Sequence, residues 1–66
     1  MRINREKMLV LLAEAQISQA HLAALSGVSR QTLSYIMNGK ACRPSIAGKI
    51  AKALGVDVTE IIETED

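Results

Sequence analysis

The sequence predicts an all-α fold, a compact bundle of five short helices. Hydrophobic residues make up 48% of the 66-residue chain and aromatics only 2%, so its core must be built from Leu, Ile, Val, Ala and Met. These residues recur at intervals of three and four, the helical period, in successive short blocks. Between the blocks stand residues that start and stop helices: Asn4, Ser18, Ser29 and Asp57 as caps, Gly27 and Gly55 as ends. A chain this short holds one core and buries roughly 60% of the surface its unfolded form exposes. With no repeat, low-complexity tract or linker, residues 1–66 read as a single domain.

The first helix runs from a cap at Asn4 to about Ala15, with Met8, Leu11, Leu12 and Ala15 on an inward stripe. Leu9 lies at the edge of that stripe and Val10 nearly opposite. Scattered exposed apolar residues are ordinary, but this run is more apolar than a one-sided surface helix needs. Ile17 then leads into the next helix and should pack beneath it.

Residues 18–39 read as two helices broken by a tight turn, a helix-turn-helix. Ser18 caps the first, Leu22 and Ala23 face inward, and Gly27 supplies the left-handed conformation that ends it. Ser29 caps the second. There Leu33, Ile36 and Met37 share one side, while Arg30, Gln31, Ser34 and Tyr35 lie largely on the other. Arg and Gln are the side chains that make bidentate contacts to guanine and adenine edges.

The charge distribution points the same way. The formal net charge of +1 conceals a division along the chain. Residues 1–55 hold all eight Lys and Arg with only Glu6 and Glu14, a balance of +6, and residues 56–66 hold five acids and no base, a balance of −5. No acidic residue occurs between Glu14 and Asp57. A basic body that also offers hydrogen-bonding side chains is the electrostatic footprint of a nucleic-acid binder. The tail from Glu63 to Asp66 reads as a solvated terminus.

Residues 40–44 form a loop, in which Pro44 disfavours helix at Arg43 and pre-sets the start of a fourth helix. Ser45 is a candidate cap for that helix, with Ile46, Ile50, Ala51 and Leu54 inward and Gly55 at its end. Gly48 inside it costs roughly 1 kcal/mol against Ala, which implies a place in the first turn or a close packing contact. The last short helix opens at Asp57, with Glu60 three residues on in a capping-box spacing and Val58, Ile61 and Ile62 on its apolar side.

Several classes are excluded. No run approaches the ~18 apolar residues of a membrane span, and the opening MRINREK leads into no signal-peptide pattern, so a cytoplasmic location is expected. Cys42 is the only cysteine. It cannot form an internal disulfide or, alone, a zinc site, and it reads as an incidental loop cysteine rather than a sensor. Without such staples, an oligomer is the expected support for so small a fold. His21 has no second His, Cys pair or neighbouring carboxylate, so no catalytic constellation exists, and no cofactor is expected.

The segments SQAHLA (18–23), GVSRQT (27–32), NGK (38–40), RP (43–44) and IAKALGV (50–56) together resemble the DNA-binding domain of phage repressors and Cro proteins, the XRE-type helix-turn-helix family. The likeness spans about residues 3–62 and implies the lambda repressor-like fold. It implies a recognition helix, Ser29 to Met37, lying in the major groove, a docking geometry established on members of that family. On that basis Arg30 and Gln31 are the first candidates for base edges, Tyr35 the next, and Thr32 and Ser34 lower. Ser18, Gln19, Ser29, Asn38, Lys40 and Arg43 fall at phosphate-gripping positions. The resemblance further implies a homodimer joined through Arg43 and Pro44 with the last helix, including Val58 and Ile61.

Two departures from the family pattern matter. Many members pair an Arg in helix one with a Glu at the end of helix three, where this chain has Leu12 and Met37; an apolar contact between these two is expected in its place. Leu25 stands where Lys or Glu is frequent, and with Leu9 or Val10 it enlarges an apolar patch suited to a protein partner. The expected function is therefore a sequence-specific double-stranded DNA-binding transcriptional regulator, a repressor on an inverted-repeat operator. The alternative is an antitoxin-like or other protein-interaction module that uses Leu9, Val10 and Leu25.

Overall fold

A computed structural model describes residues 1–63; residues 64–66, most of the tail expected to be solvated, lie outside the described residues. Helix α1 spans Arg5–Ala15, α2 Gln19–Ser26, α3 Arg30–Met37 and α4 Pro44–Leu54, followed by a 3-10 turn at Val58–Glu60. The local chemistry accounts for most of these limits. Asn4 Oδ1 accepts the Lys7 amide at 2.9 Å, and Ser18 Oγ accepts the His21 amide at 3.1 Å, each satisfying a donor that the first turn leaves without a partner. Gly27 ends α2 at φ 75°, a left-handed conformation that glycine adopts without steric penalty. Gln16 ends α1 in the same region at φ 58°, here carried by a residue with a Cβ.

Two termini differ from the sequence expectation. Helix α4 begins at Pro44, with Arg43 rather than Ser45 in the capping position and no side-chain cap bond. Proline's fixed φ suits the first helical residue, where no N–H is required. The fifth element is a single 3-10 turn instead of an α-helix. The Asp57 carboxylate accepts from the amide and hydroxyl of Thr59, two residues on, and three residues are too few to close an α-helical bond.

The core gathers around α4, which packs against α1, α2 and the 3-10 turn. Ala47 and Ile50 are completely buried, joined by Met8, Leu22, Leu33 and Ile36. Ala47 takes the innermost place that the helical period assigns to Ile46 and Leu54, which are half-buried. Ala15 is exposed, not inward: the chain turns at Gln16, and α2 leaves α1 at 89°, so the end of α1 beyond Leu12 lies outside the core. Leu12 and Met37 are each 7% exposed and belong to the same core cluster. Gly48 is exposed, and a Cβ there would meet nothing within 4 Å, so neither a close contact nor a place in the first turn explains it.

The N-terminal segment has a structure that no local pattern in the sequence announces. Arg2 forms an antiparallel bridge with Ala41 and Ile3 one with Ile62. The Cys42 amide donates to the Met1 carbonyl at 2.7 Å, the Asn4 amide to the Ile61 carbonyl at 2.7 Å, and the Glu63 amide to the Arg2 carbonyl at 3.0 Å. Residues 1–3 thus lie between the loop after α3 and the end of the described chain, with Ile3 buried in the core.

Candidate nucleic-acid interface

The turn between α2 and α3 fixes how the two helices meet. Gly27 reverses the chain, the Val28 amide donates to Ser26 Oγ at 3.2 Å, and the Val28 side chain is buried as an anchor. Ser29 then caps α3: its Oγ accepts the Thr32 amide at 3.1 Å and donates to Thr32 Oγ1 at 2.8 Å. With Leu33, Ile36 and Met37 buried, the helical period sets Arg30, Gln31, Ser34 and Tyr35 outward, and all four are exposed, Tyr35 by 59%.

The first turns of α2 and α3 border one cleft of about 480 Å³, lined by Gln19, Ala20, Arg30, Gln31 and Ser34. One side of it therefore carries a candidate phosphate ligand and the other three candidate base readers. Both helices present the start of their backbone here, where N–H groups and the helix dipole favour an anion. Ala20 is the lining residue that sequence reasoning missed; the signal for it is a small residue between Gln19 and His21, where a second helix must approach closely. Thr32 does not line the cleft, and it is half-buried with its hydroxyl engaged by Ser29. Tyr35 also lies outside the cleft lining, one turn further along the exposed face.

Beyond α3 the chain folds back on itself. The Gly39 amide donates to the Ile36 carbonyl at 3.0 Å, and Gly39 adopts φ 91°. This turn carries Asn38, Lys40 and Arg43, all exposed, away from the end of α3 toward the start of α4. Cys42, between the two cations, is half-buried; burial pushes its thiol pKa up, partly offset by the positive amino terminus nearby. His21 is exposed. Among the described residues, no group of three or more His, Cys, Asp and Glu gathers where it could hold a metal ion.

The surfaces expected to meet protein partners are placed less uniformly. Arg43 and Pro44 are exposed and Val58 is half-buried, but Ile61 is completely buried within the protomer and offers no side-chain surface to a second copy. Its apolar side is spent on the core, next to the Asn4 amide that its carbonyl accepts. Leu9 is 46% exposed, and Val10 and Leu25 55% each. No single helix among the described residues is long and apolar enough to cross a membrane.

Comparison with curated proteins and with solved structures returns no match. The model of the Cro/C1-type HTH DNA-binding domain matches residues 7–66, which covers all four helices but for the first two residues of α1. With the helix-turn-helix geometry and the fourth helix packed against it, that match places the chain in the Cro/C1-type helix-turn-helix DNA-binding family.

Proposed function

We propose that this DNA-binding domain is a sequence-specific transcriptional regulator, a repressor that occupies an inverted-repeat operator as a homodimer. The observation that carries the reading is the cleft where Gln19 of α2 meets Arg30, Gln31 and Ser34 of α3, in a stretch of chain free of acids from Glu14 to Asp57. Arg30 and Gln31 sit on the first turn of α3, the end that enters the major groove in this docking mode, and they read base edges. Ser34 and Tyr35 extend the reading surface by one turn. Thr32 has the weaker claim, since its hydroxyl serves the cap.

Ser18, Gln19, Ser29, Asn38, Lys40 and Arg43 hold the phosphate backbone and set register. One domain offers few base contacts, so two copies reading half-sites about one helical turn apart supply the specificity. Arg43, Pro44 and the exposed part of Val58 form the contact between copies. On this reading residues 1–66 act as one DNA-binding domain in the cytoplasm.

The test is selection from a randomised duplex library, with the enriched pool titrated by fluorescence anisotropy at two salt concentrations. Enrichment of an inverted repeat with half-sites ~10 base pairs apart is the expected result. Weak binding that salt erases, with no enriched sequence, overturns it. A second reading, a module that holds a protein partner, is favoured by the exposure of Leu9, Val10 and Leu25. Replacing these three with Lys leaves DNA binding intact on the first reading and releases a co-purifying partner on the second.

A further inference from the structure

We infer that Arg2 is part of the DNA-backbone grip, a third cation brought to the loop that carries Lys40 and Arg43 by the pairing of the N-terminal segment with Ala41 of that loop. The inference rests on the DNA-binding reading of that loop. In sequence Arg2 is 38 positions from Lys40 and belongs to no helix. In the fold it lies directly opposite Ala41, and the Cys42 amide donates to the Met1 carbonyl at 2.7 Å. Residues opposed in an antiparallel bridge have Cα atoms about 5 Å apart, and the next residue along adds ~3.8 Å. The Cα of Arg2 is therefore within roughly 9 Å of that of Lys40, close to one Debye length at physiological salt.

The pairing also determines which side chains are free. Adjacent residues of an extended segment point to opposite faces. Ile3 faces the core and is buried, while Arg2, next to it, is exposed. The Arg2 carbonyl accepts from the Glu63 amide at 3.0 Å on one side, and on the other the Cys42–Met1 bond ties the adjoining residue to the loop, so the position of Arg2 is fixed while the residue remains exposed. A charge held in place loses less freedom on meeting a phosphate than one on a loose terminus. The register of the Ile3–Ile62 bridge sets Glu63 directly opposite Arg2, and directly opposed residues share a face, so Glu63 is the competing neighbour: a guanidinium paired with that carboxylate would serve the fold instead of DNA.

The experiment separates these roles by salt dependence. Binding of the wild type, Arg2→Gln, Lys40→Gln and, as a control on α1, Lys7→Gln to a short mixed-sequence duplex is followed by anisotropy from about 50 to about 200 mM salt, alongside thermal melts. Each phosphate contact contributes about 0.9 to the slope of log K against log salt. The expected result is a slope reduced by about 0.9 in Arg2→Gln and in Lys40→Gln, unchanged in Lys7→Gln, with the Arg2→Gln melt unchanged. A wild-type slope in Arg2→Gln, with or without a lowered melting temperature, overturns the inference while the loop reading survives through Lys40→Gln. A wild type that shows no salt-dependent duplex binding overturns both.

Discussion

Ser29 and Thr32 hold each other at the start of α3: the Thr32 amide donates to Ser29 Oγ at 3.1 Å, and the Ser29 hydroxyl donates to Thr32 Oγ1 at 2.8 Å. The pair fixes the first turn that carries Arg30 and Gln31, so on the proposed reading of that turn cap strength and DNA binding are coupled there. Ser29→Ala should cost about 1 kcal/mol of stability, the usual value for a lost cap. Ser29→Asp separates the two effects. Asp caps as well as Ser and complements the helix dipole, yet it sets a negative charge where a phosphate is expected. Urea denaturation should show Ser29→Asp near wild type, while anisotropy shows duplex affinity reduced at least about tenfold, the equivalent of 1.4 kcal/mol.

Much of the fold was legible because its signals are local. Asn4, Ser18 and Ser29 each accept an amide three residues on, and Gly27 and Gly55 take the left-handed conformations that their places after α2 and α4 suggested. The outward face of α3 followed from the period of Leu33, Ile36 and Met37. What escaped was non-local. Ile3 belongs to a segment too short to show a period, and its burial goes with its bridge to Ile62, 59 positions along the chain. The neighbouring bridge to Ala41 brings Arg2 to the loop, which no spacing in the sequence reveals. Ile61 carries an apolar side chain at a surface turn, and whether it faces a second copy or the core is decided by the docking of the N-terminal segment against it.

Gly48 offers a test of the packing around α4. It sits in the helix interior, is exposed, and has open space where a Cβ would stand. Gly48→Ala should therefore raise stability by about 0.5–1 kcal/mol, through helix propensity and a less mobile unfolded chain. The urea midpoint should rise without a change in slope, and DNA affinity should stay the same because Gly48 does not line the cleft between α2 and α3. A lower midpoint would mean that a neighbour closes on this position.

Asp57 ties part of the fold to pH. Hydrogen bonds from the Thr59 hydroxyl and then its amide hold the Asp57 carboxyl below the usual carboxylate range. A group depressed in the folded state contributes stability that is present above its unfolded value, about 3.9, and is lost as pH falls through the lower folded value. Wild-type stability should drop as the pH is lowered below about 4, and Asp57→Asn should show a smaller drop. Urea midpoints for both proteins at pH 7 and at about pH 3 measure the difference; parallel curves would mean that the capped turn does not report on folding.

Gln31 and Lys40 distinguish reading from gripping. Gln31 lines the cleft on the first turn of α3, and Lys40 stands on the loop beyond it. Loss of a bidentate base contact removes discrimination at one base pair, whereas loss of a phosphate contact weakens every duplex alike. Gln31→Ala should lower affinity for the selected operator by ~1–3 kcal/mol and relax preference at one position, leaving the salt slope near wild type. Lys40→Ala should weaken operator and random duplex in proportion and lower the slope by about one unit. Competition titrations with single-base operator variants, repeated across a salt series, measure both quantities. If Gln31→Ala instead lowered affinity for all duplexes equally, α3 would lie along the backbone rather than in the groove, and the base-reading role of its first turn would fall.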